Sequence, residues 1–145
     1  MQCCVLLDAN FLLVPFQFKI DIYEELPYVV EGLTQVGTLS AVWEELEKKQ
    51  LRSPRKQKFN RMISSSRHLF EAKAGTIWDF PNPERAHVDD LILKFMAVQR
   101  EAGNTIILAT NDRDLRYRAL ENGFPVCILR NQKKLHLFRG HQKLK

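Results

Sequence analysis

The chain has 145 residues and a formal net charge of +5 at pH 7, which favours one mildly basic domain, residues 1–145, able to bury its own core. Its apolar fraction of 45% and charged fraction of 27% are ordinary for a soluble globular protein, and no apolar run is long enough to span a membrane. The three cysteines lack the C-x-x-C spacing of a zinc site, and the N-terminus lacks the basic region of a signal peptide. We therefore expect a cytoplasmic protein with free thiols.

Strands and helices alternate along the sequence. We predict strands at residues 3–7, 36–41, 75–80, 104–110 and 125–129, with one more short strand at 136–138. We predict helices at residues 21–33, 42–51, 55–73, 85–103 and 112–123. Pro27 interrupts the first of these helices, and the run Ser64–Ser66 leaves a break or a loop as the alternative to one continuous third helix. Because alternating strands and helices join by right-handed crossovers, we expect an α/β fold whose parallel sheet is covered by helices on both faces.

Acidic residues follow the predicted strands where a parallel sheet would gather them. Asp8 comes directly after the first strand and Asp112 follows the fourth, whereas Glu45 and Asp89 lie near the starts of helices that follow strands. In open α/β sheets, ligands bind beyond the carboxyl ends of the strands. Helical spacing places Glu45 and Asp89 beside the apolar stripes of their helices and turns the adjacent acids toward water. We therefore expect four carboxylates to converge at one edge of the sheet.

Four converging carboxylates repel one another strongly unless they are protonated or neutralised. Oxygen ligands suit a hard divalent cation, Mg²⁺ or Mn²⁺, and a pair of such ions can activate a water for phosphodiester cleavage. Each acid also has a purely structural alternative. The alternatives are helix N-caps for Asp8 and Asp112, a solvated helix position for Glu45, and first-turn acids favoured by the helix dipole for Asp89 and Asp114.

Several segments resemble the PIN-domain nucleases, and the resemblance covers nearly the whole chain. The matching segments are VLLDANFLL, VWEEL, VDDLIL and ILATNDRDLRYRALENGFPVCIL. The most specific is the T-N-D-x-D-L motif, which follows a predicted strand and precedes a helix that ends at a glycine. The resemblance implies a Rossmann-like three-layer sandwich with a parallel sheet of about five strands, and Mg²⁺- or Mn²⁺-dependent endoribonuclease activity.

The resemblance also implies roles for individual residues. The family's four catalytic acids are matched by Asp8, Glu45, Asp89 and Asp112. The metal ligands for one or two ions would be Asp8, Asp89, Asp112 and an accessory acid, Asp114. Glu45 would ligate an ion or help to orient the attacking water. Asn10 and Thr110 match polar positions that hydrogen-bond to the ligating carboxylates.

Basic residues are concentrated in residues 48–73 and in the C-terminal tail, about residues 131–145. The expected reaction is metal-assisted hydrolysis of single-stranded or loop RNA, with these cations holding phosphates in a salt-dependent way. The candidate phosphate-binding residues are Arg52, Arg55, Lys56, Lys58, Arg61, Lys133 and Lys134. Phe59 and His68 are candidates for stacking on bases. Core packing is the alternative for the aromatic residues, and a solvated surface is the alternative for the basic runs.

Within the family, the D-D-L-I and T-N-D segments look more like the ribosomal-RNA-processing branch than like the toxins of toxin–antitoxin pairs. RNA is the expected partner, and analogy suggests a homodimer, a ribosome-assembly protein or an antitoxin as further partners. The alternatives in function are a catalytically silent RNA-binding or ribosome-assembly protein of the same fold, and a toxin ribonuclease. A phosphatase that forms an aspartyl-phosphate is disfavoured because Asn10 stands where that chemistry wants a second aspartate. A nucleotide-binding module is disfavoured because no glycine-rich loop follows the first strand.

Overall fold

The apolar segments predicted as strands form one sheet in the computed structural model, which describes residues 2–139. The six strands are β1 (Cys3–Leu7), β2 (Gln35–Leu39), β3 (Thr76–Trp78), β4 (Thr105–Ala109), β5 (Val126–Arg130) and β6 (Lys134–Phe138). Their order is β3-β2-β1-β4-β5-β6, and all neighbours are parallel except β5 and β6. The predicted parallel sheet is confirmed, and an antiparallel sixth strand extends one edge of it.

The strand order reverses at β1, in the middle of the sheet. The chain runs from β1 to β2 and β3 on one side and then crosses to β4 and β5 on the other. The register sets Leu7, the last residue of β1, beside Ala109, the last residue of β4. Both strands are almost completely buried, as expected of strands covered on both faces. Such a switch point is where α/β sheets place their ligand sites, and the residue that follows β1 is Asp8.

Seven helices connect these strands within the described residues. They are α1 (Ala9–Leu12), α2 (Val14–Gln17), α3 (Ile22–Val29), α4 (Ser40–Arg52), α5 (Gln57–Ala72), α6 (Val88–Glu101) and α7 (Arg113–Glu121). The sequence does not predict α1 and α2, because four residues are too few to show a helical period. The long helix predicted at residues 55–73 is confirmed as α5, and the alternative of a break at Ser64–Ser66 is wrong. Helix α5 runs through it, because Ser66 is buried on the same face as Ile63 and Phe70 and this packing outweighs the low helix propensity of serine.

Element boundaries differ from the predicted ones by a few residues. Helix α3 ends at Val29, with Pro27 inside it. The turn between β5 and β6 contains Asn131 and Gln132 with positive φ angles of 53° and 58°, as a type I′ turn requires. Residues 140–145, the end of the predicted basic tail, lie outside the described residues. Every helix within residues 2–139 is too short or too polar to cross a bilayer.

Candidate active site

Asp8 is a buried carboxylate held from two sides. It is 6% exposed, and its backbone N–H donates to the carbonyl oxygen of Ala109 at 3.1 Å. Its Oδ1 accepts a hydrogen bond from the Phe11 N–H at 2.8 Å, which makes Asp8 the N-cap of α1. Its Oδ2 accepts a hydrogen bond from the Thr110 hydroxyl. The structural alternative of a helix cap is therefore correct, but the cap uses only one of the two carboxylate oxygens.

The pKa of Asp8 is raised from 3.8 to about 6. Burial is the main cause, because the charged carboxylate loses its hydration. The hydrogen bonds from Thr110 and Phe11 oppose this increase, and the charges of Asp112 and Asp89 add to it. The environment therefore disfavours an isolated negative charge here, and a proton or a cation beside Asp8 would relieve the penalty.

Thr110 links three elements at the end of β4. It is completely buried, and its backbone N–H donates to the Cys127 carbonyl oxygen of β5 at 3.0 Å. Its hydroxyl donates to Asp8 and accepts a hydrogen bond from the Asp112 N–H at 3.0 Å. Because the hydroxyl has one proton, accepting from Asp112 leaves that proton available for Asp8. Thr110 thus fixes the position of one acid relative to the backbone of another.

Asp112 begins α7 as its N-cap, with Oδ1 accepting a hydrogen bond from the Leu115 N–H at 3.0 Å. The structural alternative of an N-cap therefore holds for Asp112 too. The turn that carries Asp112 is fixed by Asn111, whose Oδ1 accepts a hydrogen bond from the Leu129 N–H of β5 at 2.9 Å. The sequence does not assign Asn111 a role. Its position directly after a strand, between Thr110 and Asp112, is the sequence feature that could have indicated a positioning role.

Asp89 and Asp90 occupy the first turn of α6 in different surroundings. The pKa of Asp89 is raised, mainly by burial and then by the charges of Asp112 and Glu45, with Arg118 and His87 opposing. Asp90 pairs with Arg118 instead, and the hydrogen bond from Arg118 lowers the pKa of Asp90. Asp89 is therefore the acid of this pair that interacts with the other site carboxylates.

Glu45 is brought to the same edge by the start of α4. This helix begins directly after β2, and Glu45 is half-buried whereas Glu44 is exposed. The end of β2 is tied to the end of β1 by Thr38, a buried residue whose hydroxyl donates to the Leu7 carbonyl oxygen at 2.6 Å. Thr38 is a second positioning residue that the sequence does not single out.

The four carboxylates form one electrostatic group, which we call the acidic edge: Asp8, Glu45, Asp89 and Asp112. In the described part of the chain, no three His, Cys, Asp or Glu side chains are arranged so that they could hold a metal ion together. Two of the four carboxylates have an oxygen bound to a helix N-terminus, and mutual repulsion separates unneutralised acids. The donor chemistry fits a hard divalent cation, because such ions take oxygen ligands and would offset the charge that raises these pKa values.

Two residues that the resemblance assigns to the site lie at its margin. Asp114 is exposed on the first turn of α7, and within residues 2–139 its side chain makes no hydrogen bond or ion pair. Asn10 is exposed in α1, and its backbone carbonyl accepts a hydrogen bond from the Leu13 N–H. The contact predicted from a polar side chain to a ligating carboxylate is made by Thr110.

All seven candidate phosphate-binding residues are exposed. Five of them lie around the end of α4 and the start of α5, and the other two, Lys133 and Lys134, lie at the turn into β6. Because β5 is parallel to β1 and β4, this turn lies at the same end of the sheet as Asp8. Of the stacking candidates, Phe59 packs against the core and His68 is exposed.

Comparisons with known proteins agree with this architecture. A family model described as a PIN like domain matches residues 5–132. The chain is similar to Ribonuclease VapC4 of Methanocaldococcus jannaschii, with 28% identity over 131 residues that cover 90% of this chain and 93% of that protein. Its fold is similar to the solved structure of the PIN domain endonuclease Utp24, with a TM-score of 0.73 and 22% identity over 94% of this chain and 91% of that one.

Proposed function

The chain belongs to the PIN-domain nuclease family, and from this premise we propose that it is an endoribonuclease that uses Mg²⁺ or Mn²⁺ to hydrolyse phosphodiester bonds in single-stranded or loop RNA. The observation that carries the proposal is Asp8, a buried carboxylate with a pKa raised to about 6, held by Thr110 among three further acids. The cap of α1 uses one carboxylate oxygen of Asp8, but burial opposes the ionisation of this group. A divalent cation bound beside Asp8 would offset that penalty.

The residues of the acidic edge would have different roles in binding metal and orienting water. Asp8, Asp89 and Asp112 would hold one or two ions, with Asp114 as an accessory ligand, and the bound metal supplies an activated water and neutralises charge on the phosphate. Thr110 keeps Asp8 in a fixed orientation through its hydroxyl, so the ligand needs little rearrangement on binding. Glu45 would ligate an ion or orient the attacking water toward phosphorus.

The exposed cations would hold the RNA on either side of this edge. They are the seven candidates named above: Arg52, Arg55, Lys56, Lys58, Arg61, Lys133 and Lys134. Within residues 2–139 none of them forms an ion pair with a carboxylate, so each is free to bind a phosphate. A role in ribosomal RNA processing, a homodimer, a protein partner, a cytoplasmic location and a single domain stay predictions from the sequence.

The proposal is tested with a fluorescently labelled single-stranded RNA incubated with Mn²⁺ and analysed on denaturing gels. The wild type should cleave it, EDTA should stop cleavage, and both Asp8→Asn and Asp112→Asn should lower the rate by at least about a hundredfold. Glu121→Gln is a matched control, because Glu121 is exposed at the end of α7 opposite to Asp112, and it should leave the rate unchanged. If Asp8→Asn and Asp112→Asn cleave as fast as the wild type, the acidic edge is not the active site. An inactive wild type that still binds RNA supports the catalytically silent alternative.

A further inference from the structure

A groove of about 800 Å³ leads away from the acidic edge between α4 and the segment that joins β3 to α6. Glu45 lines this groove and also acts on the pKa of Asp89, so the groove opens onto the proposed active site. It is also lined by Lys48 and Arg52 of α4 and by Arg85 of the segment that joins β3 to α6. We call this space the α4 groove.

We propose that the α4 groove holds one unpaired segment of the RNA substrate next to the scissile phosphate, with Lys48, Arg52 and Arg85 binding its phosphates and Phe80 contacting a base. This inference rests on the proposed nuclease function and adds the path that the RNA strand takes to the active site. Of its four residues, Arg52 is a candidate from the sequence, and the structure adds the other three.

The charges along the α4 wall change from acidic to basic with distance from the site. Glu44 and Glu45 lie in the first turns of α4, Lys48 follows one turn later, and Arg52 ends the helix. With a rise of about 1.5 Å per residue, Lys48 lies about 4.5 Å and Arg52 about 10.5 Å further along the axis than Glu45. A polyanionic strand would therefore contact basic side chains along the groove. It would meet carboxylates only at the proposed active site, where a bound cation would neutralise them.

The three cations of the groove are exposed, and within the described residues none of them is paired with a carboxylate. By contrast, Arg67 pairs with Glu47 and Arg118 pairs with Asp90. The three groove cations therefore do not serve to form salt bridges within the described part of the chain. An anionic ligand with regularly spaced charges matches their arrangement along two facing walls.

The wall that carries Arg85 is a rigid loop in an unusual backbone conformation. The Asn82 side chain clamps Ala86 twice, with Nδ2 donating to the Ala86 carbonyl oxygen at 3.0 Å and Oδ1 accepting from the Ala86 N–H at 2.8 Å. This clamp encloses Arg85, whose φ is 52°. Glycine or asparagine suits that left-handed region better than arginine does. Arg85 thus lines the groove at a position where the backbone conformation alone would favour glycine or asparagine.

Phe80 gives the groove an aromatic wall at the base of the same loop. Its ring is half-buried and packs edge-on against Phe95, with a distance of 5.4 Å between ring centroids. A ring fixed in this way can stack on an unpaired base of any identity, whereas the bases of a duplex are already stacked. The expected ligand is therefore single-stranded RNA.

The test measures binding of a fluorescein-labelled single-stranded oligouridine by fluorescence anisotropy, in EDTA and over a range of salt concentrations. Each of Lys48→Ala, Arg52→Ala and Arg85→Asn should weaken binding and reduce the slope of log K against log salt by about 0.7, the value for one lost single-strand phosphate contact. Asparagine is chosen at Arg85 because it tolerates a positive φ. Lys49→Ala is the matched control, since Lys49 is the neighbour of Lys48 on α4 and does not line the groove.

The stacking contact has its own readout. Phe80→Leu should weaken binding of the oligouridine about fivefold without changing the salt slope, because it removes a ring and no charge. The wild-type protein should bind an abasic analogue of the oligonucleotide more weakly than the unmodified one, by a similar factor. That comparison tests stacking even if the substituted protein does not fold.

The groove assignment is overturned if the three cation variants keep the wild-type salt slope, if Lys49→Ala loses as much as Lys48→Ala, or if the wild type binds no oligouridine at low salt. Polyglutamate of equal charge that displaces the RNA equally well would also overturn it, by showing a general anion surface. Cleavage with Mn²⁺ is scored separately. If the wild type cleaves RNA but the variants keep the wild-type salt slope, the proposed nuclease function stands and the groove assignment fails. If the variants have reduced slopes but the wild type does not cleave RNA, the groove binds RNA and the proposed nuclease function fails.

Discussion

Replacing Asp8 by asparagine should remove the loss of stability that the metal-free protein undergoes as the pH rises, and it should also remove activity. Asp8 is 6% exposed and its pKa is raised from 3.8 to about 6. Burial favours the protonated form, so ionisation of Asp8 opposes folding. Asparagine has nearly the same shape and carries no charge.

The size of the effect follows from the difference in pKa between the folded and the unfolded chain. A difference of about 2 units at about 1.4 kcal/mol per unit gives about 3 kcal/mol. Below pH 3.8 Asp8 is protonated in both states and the penalty is absent. As the pH rises from there to about 6, the unfolded chain releases its proton first, so the free energy of unfolding falls. Above that range the full penalty persists.

The assay is urea unfolding of the wild type and of Asp8→Asn in EDTA at several pH values between about 4 and 8. The difference in unfolding free energy between the two proteins should shift in favour of the variant by about 2.5 kcal/mol across this range, because a small part of the penalty is already present at pH 4. A changed hydrogen bond to Thr110 adds an offset that does not depend on pH. Asp79→Asn, which alters an exposed carboxylate after β3, should show no such shift.

A flat difference between pH 4 and 8 would refute the reasoning, because it would mean that Asp8 titrates alike in both states. A shift in favour of the wild type at high pH would refute it more strongly. That result would show an ionised carboxylate stabilised by the fold, as in an ordinary structural cap.

Three further substitutions test the neighbours of Asp8. Thr110→Val removes the hydroxyl that donates to Asp8 and should raise the pKa of Asp8 and cost about 1–3 kcal/mol of unfolding free energy, as read by urea unfolding, with Thr110→Ser as the control that keeps the bond. Glu45→Gln should slow RNA cleavage by about a hundredfold or more, whereas a rate equal to that of the wild type would remove Glu45 from the mechanism. Asn111→Ala leaves a backbone N–H of β5 without its acceptor and should cost about 1–3 kcal/mol, and Asn111→Asp, which keeps an acceptor, should recover most of it.

The sequence predicts the sheet well because buried parallel strands are continuous apolar runs. The segments Cys3–Leu7 and Thr105–Ala109 are such runs, and they pair at the centre of the sheet. Local propensity left a break at Ser64–Ser66 open for a tertiary reason, since the burial of Ser66 against the core is not visible in the sequence. Helices α1 and α2 are too short to carry a periodic signal.

The four acids of the site were predicted from their places after strands, but the contacts that hold them were not. The bond from Thr110 to Asp8 joins residues 102 positions apart, and its existence depends on the register of β1 with β4. The anchor from Asn111 to β5 and the pairing of Asp90 with Arg118 depend on the packing of separate elements. Sequence spacing predicts which acids converge, and the fold decides which of their oxygens already accept hydrogen bonds.

A Mn²⁺ titration by calorimetry at low salt tests the central claim most directly, because it requires no knowledge of the RNA target. We predict that the wild type binds Mn²⁺ and that Asp8→Asn and Asp112→Asn each weaken this binding at least about tenfold, whereas Glu121→Gln, at the far end of α7, binds like the wild type. Wild-type protein that binds no Mn²⁺, or binding that is indifferent to both aspartate substitutions, would contradict the account of the acidic edge as a metal site.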